Sequence, residues 1–69
     1  MADHVYKVVE LVGTSKDSVT AAIDTAITKA AATLRHLDWF EVEHIRGHID
    51  SGKVAHYQVT LKAGFRLEE

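Results

Sequence analysis

The only tryptophan of this sequence, Trp39, stands in the stretch Leu37-Asp38-Trp39-Phe40-Glu41-Val42, where a helical hydrophobic period stops and an extended one begins. A large aromatic at such a junction either fills a core or offers a flat face to a planar ligand. A stack on that face contributes about 0.5–1.5 kcal/mol beyond the area it buries. The other reactive side chains do not converge in the same way. There is no cysteine, which excludes disulfides, thiolate metal sites and redox thiols. The five histidines invite a metal. However, His44 and His48 lie four residues apart in an extended segment, roughly 13 Å, and the hairpin register sets His56 against Gly47, on the opposite side from His48. A metal within one chain is therefore not expected, although a symmetry axis can gather histidines from several chains. Glu41 and Glu43 share a strand face as an acid–base pair would, but Lys62 is a simpler partner for one of them. Thr14-Ser15-Lys16 lacks the glycine-rich loop that phosphate cradles need. With no nucleophile–base pair, the residues describe binding, not turnover.

The chain that must position these groups has 69 residues, enough for one small domain over residues 1–69. A domain of this size buries only about 60% of its unfolded surface. Small folds usually gain stability from disulfides, a metal or self-association, and without cysteine self-association is the expected route. The formal net charge of -2 is spread along the chain, which argues against nucleic acid as a partner. No apolar run approaches the length of a membrane span, and the N-terminal residues lack the basic and apolar regions of a signal peptide. A soluble cytoplasmic protein is the expectation.

Val5 to Val12 is rich in β-branched residues and reads as a strand with apolar residues on both parities, ended by Gly13-Thr14. From Lys16 to His36 the period lengthens. Val19, Ala22, Ile23, Ala26, Ile27, Ala30 and Leu34 form one helical face, with Ser15 or Thr14 as N-cap; such a helix is about 30 Å long. Asp38 to Asp50 reads as a second strand. Ser51-Gly52 reads as a two-residue hairpin loop, and Val54 to Leu67 as a third strand of strict alternation. The expected fold is α+β, a three-stranded antiparallel sheet in β-α-β-β order with one helix on one face.

Pairing Asp50 with Lys53 fixes a register. It sets Ile49 against Val54, Gly47 against His56, Ile45 against Gln58, Glu43 against Thr60, Glu41 against Lys62 and Trp39 against Gly64. Cross-strand partners share a face. Trp39, Glu41, Glu43, Ile45, Gln58, Lys62 and Gly64 then lie on one face, while Phe40, Val42, Tyr57, Val59, Leu61 and Phe65 lie on the other, under the helix. Arg46 and His48 fall on the helix side, and a bulge would shift this arithmetic by one residue. A face bearing a tryptophan, two glutamates, a glutamine and a lysine is too mixed for a core. It is expected to meet a copy of itself and to line a site there.

Val9-Glu10-Leu11-Val12-Gly13-Thr14-Ser15, Leu37-Asp38-Trp39-Phe40-Glu41-Val42 and Tyr57-Gln58-Val59-Thr60-Leu61-Lys62, in that order over essentially the whole chain, closely resemble the dodecin family. That resemblance implies a homododecamer that binds flavins, two of them stacked back to back between tryptophans of symmetry-related subunits. It places Trp39 as the stacking residue and Gln58 on the polar edge of the isoalloxazine. Bacterial members favour FMN, with arginines near the ribityl phosphate, and Arg46 and Arg66 match that role. Some members bind coenzyme A, for which Tyr6, Lys29 and Arg66 are the candidates here. The side-chain chemistry suits these roles. A primary amide offers a donor beside an acceptor, and a guanidinium offers a forked contact to phosphate. Each has a bland counterpart: a core tryptophan, a solvated amide, an arginine in a surface ion pair. Two readings follow. One is a non-enzymatic store and buffer of flavin (FMN, riboflavin or FAD). The other is a structural or coenzyme A-carrying cage in which flavin is incidental.

Overall fold

In the computed structural model, which describes residues 3–67, the chain runs β1 (Tyr6–Ser15), α1 (Val19–Ala31), β2 (Leu37–Asp50) and β3 (Lys53–Arg66). The sheet is antiparallel with strand order β1-β3-β2, so β3 is central and the other two strands are edges. The hairpin forms at Ser51-Gly52 as its composition dictates: both residues take positive φ, 52° and 76°, as a type I′ turn requires.

The helix is shorter than its hydrophobic period suggests. Ser18, not Ser15 or Thr14, is the N-cap, with extended backbone and a hydroxyl that accepts from the Ala21 amide at 3.0 Å. Ser15 instead belongs to β1 and accepts from the Asp17 amide at 2.9 Å. At the other end the Ala30 carbonyl accepts from both Thr33 and Leu34, and the chain turns away through His36 at φ 63°. β1 continues past Gly13, pairing Gly13, Thr14 and Ser15 with Val59, Gln58 and Tyr57, and Gly13 lets the helix approach the strand. A Cβ at position 13 would overlap the Ala22 carbonyl oxygen and stand 2.9 Å from the Ala26 Cβ.

Ala22, Ala26, Val59 and Leu61 form the buried core, flanked by Leu11, Val19, Ile23, Ile27 and Val42. Only Val59 and Leu61 are large and fully buried among the described residues, each contributing about 1.5–3 kcal/mol. The helix covers β1 and β3 but scarcely reaches β2. Its 13 residues span about 20 Å, whereas 14-residue strands span about 45 Å. The β2–β3 hairpin therefore projects past the helix in a body 56 Å long, leaving Ile45, Ile49 and Val54 exposed. Among the described residues no helix is long and apolar enough to cross a membrane.

The register begins and ends as expected, with Ile49 against Val54, Glu41 against Lys62 and Trp39 against Gly64. Between these points it differs. Ala55 is an extra residue on β3 and Glu43 an extra residue on β2, and the two bulges cancel. Inside the shifted segment Gly47 faces Tyr57, not His56. Ile45 faces Val59, not Gln58, and His44, not Glu43, faces Thr60. Ile45 thus moves to the helix side. Arg46 moves off it to stand against Gln58, and His48 stands against His56. The ion pair expected for Glu41 is made instead by the bulged Glu43, whose carboxylate lies 3.2 Å from Lys62 Nζ.

Candidate functional site

Val59, Leu61 and Ala63 point into the core, so Gln58, Thr60, Lys62, Gly64 and Arg66 line the opposite, outer face of β3. Their cross-strand partners share that face. On β2 these are Trp39, Glu41, His44 and Arg46; on β1 they are Tyr6, Val8, Glu10, Val12 and Thr14. Five of the six residues singled out from sequence, Trp39, Gln58, Arg46, Arg66 and Tyr6, therefore sit on one face. Lys29 does not. It lies on α1, behind the sheet, and lines an open cleft of about 400 Å³ with Leu11, Thr14, Thr25 and Ala26.

Trp39 is seated by two features. A third bulge, at Asp38, lets the strand turn its indole onto the outer face. Gly64 opposite it has no side chain, and the indole occupies that space: a Cβ there would overlap Cε2, Cζ2 and Nε1. The outward π-face stays accessible, with the residue 42% exposed. Beside it the Tyr6 hydroxyl donates to Asp38 Oδ2 at 2.9 Å. That bond raises the Tyr6 pKa above its usual 10.0, assisted by desolvation and by the Asp38 charge and opposed by Arg66. Arg66 also lines a cavity of about 230 Å³ with His36, Leu37 and Asp38. The Trp39 end of the face thus carries a flat aromatic, a guanidinium and a fixed phenol–carboxylate pair.

Arg46 and Gln58 form the other end. Six residues of extended β3 separate Gln58 from Gly64, roughly 20 Å, which exceeds the length of a tricyclic ring system. One chain cannot apply Trp39 and Gln58 to the same ring, so a site using both takes them from different copies. Between the two ends Glu43 is held below the ordinary carboxylate range, first by a hydrogen bond with Glu10 and then by Lys62. Lys62 is correspondingly raised by Glu43.

Three contributors were missed from sequence. Gly64 was placed on the right face without its role as the seat of the indole, although a glycine inside a strand is a signal of close approach. Asp38 as the Tyr6 partner and Glu10 as the Glu43 partner depend on the β1–β3 register, which no short turn fixes.

With this geometry in view, the chain matches the family model described as Dodecin over residues 5–68. It is 62% identical over 65 residues to the curated Dodecin of Thermus thermophilus, covering 94% of each chain. The solved structure of dodecin from Streptomyces davaonensis is 50% identical, with a TM-score of 0.94 over 99% of this chain and all of that one. Solved variants of the T. thermophilus dodecin, each 58% identical with a TM-score of 0.92 and covering 97% of this chain and at least 98% of theirs, carry alanine for one of two arginines or phenylalanine for a tryptophan.

Proposed function

This chain belongs to the dodecin family, and we propose that it stores and buffers flavin, FMN foremost, by stacking flavin pairs between Trp39 side chains of neighbouring copies in a homododecamer. The carrying observation is the indole of Trp39, laid on Gly64 with its outer face open and Arg66 on the same side of the sheet. The tryptophan and two arginines replaced in the T. thermophilus variants have the same spacings as Trp39, Arg46 and Arg66, which supports treating the three as one functional set.

Several features favour assembly. The core is small, and Phe40, Ile45 and Ile49 on the helix side of β2 are uncovered. The roughly 20 Å between Trp39 and Gln58 calls for a second copy to complete a ring-binding slot. In such a slot Gln58 supplies paired amide contacts to the polar ring edge, and Arg46 or Arg66 meets the phosphate. Trp39 in contact with a photoexcited flavin donates an electron that returns without net chemistry, which quenches and protects the ligand.

Fluorescence titration tests this reading. Riboflavin and FMN emission should be quenched on addition of the protein, and Trp39→Ala should abolish the quenching while light scattering still reports a dodecamer. Tight quenching retained in the alanine variant would remove the stacking role. The second reading, a coenzyme A-carrying cage, is favoured by the Tyr6–Asp38–Arg66 cluster and its cavity. Protein that stays colourless in flavin yet retains coenzyme A would select it.

A further inference from the structure

The outer face carries a second constellation, at the end of the sheet far from Trp39. The bulge at Ala55 sets His48 directly across from His56, and the two imidazole rings stack with centroids 5.5 Å apart and planes 19° from parallel. The pair is held from both sides by the ladder, with Arg46 against Gln58 on one flank and Ile49 against Val54 on the other. Among the described residues no hydrogen bond or ion pair engages either ring, so the ring nitrogens compete only with water.

Directly opposed antiparallel residues carry Cβ atoms about 4.5–5.5 Å apart. Two imidazoles bound to one ion at about 2.0–2.1 Å put their ring centroids about 5 Å apart. The spacing already present differs from that by a few tenths of an ångström. Converging the two nitrogens takes rotation about χ2, a broad and soft torsion for histidine, and no movement of the backbone. We infer that His48 and His56 form a two-imidazole chelate for a borderline transition-metal ion of the Zn²⁺, Ni²⁺ or Cu²⁺ class. Imidazole nitrogen selects these ions, whereas Mg²⁺ and Ca²⁺ take oxygen ligands.

No third histidine or carboxylate closes on the pair among the described residues. The remaining coordination positions therefore belong to water or to a donor on another molecule, and the site is of the open kind. Because its ligands come from β2 and β3, the ion also clamps the projecting hairpin. The site shares no residue with the proposed flavin slot and stands independently of it.

Calorimetric titration of Zn²⁺ into the metal-stripped full chain tests the assignment. Expected is saturable uptake of one ion per chain, and a thermal midpoint that rises with Zn²⁺. His48→Gln and His56→Gln should each weaken uptake and remove the midpoint shift, and the double variant should bind no tighter than either single one. Loss of an outer-shell partner alone costs about 10–100-fold in metal affinity, so loss of a ligand should cost at least about tenfold. His44→Gln, on the same face, should bind as the parent does. Circular dichroism confirms that each variant retains the sheet. If either glutamine variant loses it, His→Asn at the same position replaces that variant in the titration. Absence of saturable Zn²⁺ uptake, or uptake unchanged in both single variants, or uptake lost equally in His44→Gln, overturns the proposal.

Discussion

The indole of Trp39 lies against the α-carbon of Gly64 on the adjacent strand, in the space that any other residue's side chain would fill. The backbone does not ask for glycine there, since Gly52 is the glycine with a positive φ among the described residues. Gly64→Ala should therefore fold, with the exposed-edge indole swinging aside at a stability cost of about 1–3 kcal/mol, as overpacking gives. The displaced indole should lose the proposed stack with a flavin ring, so flavin affinity should fall by about tenfold or more, since a stack is worth about 0.5–1.5 kcal/mol beyond the burial lost with it. Fluorescence titration beside urea unfolding separates the two effects. An unchanged dissociation constant would show that the seat is dispensable.

Gly13 provides the contrasting case. A methyl group there would meet the backbone carbonyl of Ala22 and the Ala26 side chain, and neither is the free end of a flexible chain. The helix must lift from β1 and disturb a core with few large members. Gly13→Ala should destabilise the protein by about 1–3 kcal/mol, as overpacking does. Urea midpoints at one fixed protomer concentration measure this, because the proposed assembly would couple to stability. An equally stable variant would mean that the helix–strand gap is not closed in solution.

These two glycines also show where the sequence was legible. Strict alternation in β3 and the Ser51-Gly52 turn were enough to set Trp39 against Gly64, because a short turn leaves one register. The same arithmetic failed between them. A bulge adds a residue without any mark in composition, and the bulges at Ala55 and Glu43 cancel, so the correct ends concealed a shifted middle. The unbulged register therefore puts Arg46 on the helix side and separates His48 from His56, whereas the observed one does neither. The pattern overextends the helix because Leu34 and the alanines after Ala30 continue an apolar period, whereas the turn through His36 is set by where β2 must start. A chain pattern records which face is mixed but not what meets it, so the sequence outlines the proposed sharing of the site between copies without its geometry.

The charge pair between the two ends of the face gives a pH signature. The folded pKa of Glu43 is lowered from 4.5, by Glu10 and then Lys62, so its contribution is present above that value and is lost as pH falls through the lower folded one. Lys62 is raised from 10.5, so its contribution is present below that value and is lost as pH rises through the higher folded one. Both side chains are solvent-accessible, which keeps the effect small. The difference in urea midpoint between parent and Glu43→Gln should be level from about pH 6 to about pH 9 and should shrink toward zero in acid. A difference that widens on acidification would contradict the pairing.

The two arginines are separable by ligand. Arg66 adjoins Asp38 and the Tyr6 hydroxyl at the Trp39 end, while Arg46 adjoins Gln58, eight residues and about 26 Å away along β3. If a slot joins the Trp39 end of one copy to the Gln58 end of another, both guanidiniums flank one ligand. The one that meets the phosphate contributes a charge-assisted bond that riboflavin cannot make. Its removal should weaken FMN binding by about 1.5–3 kcal/mol, roughly 10- to 150-fold, and leave riboflavin within a few-fold. Arg46→Ala and Arg66→Ala, each titrated with both flavins, make the assignment. An arginine positioned by the fold against the ring, not the phosphate, would instead weaken both flavins together. Equal loss of both ligands in both variants would show that neither side chain reads the phosphate.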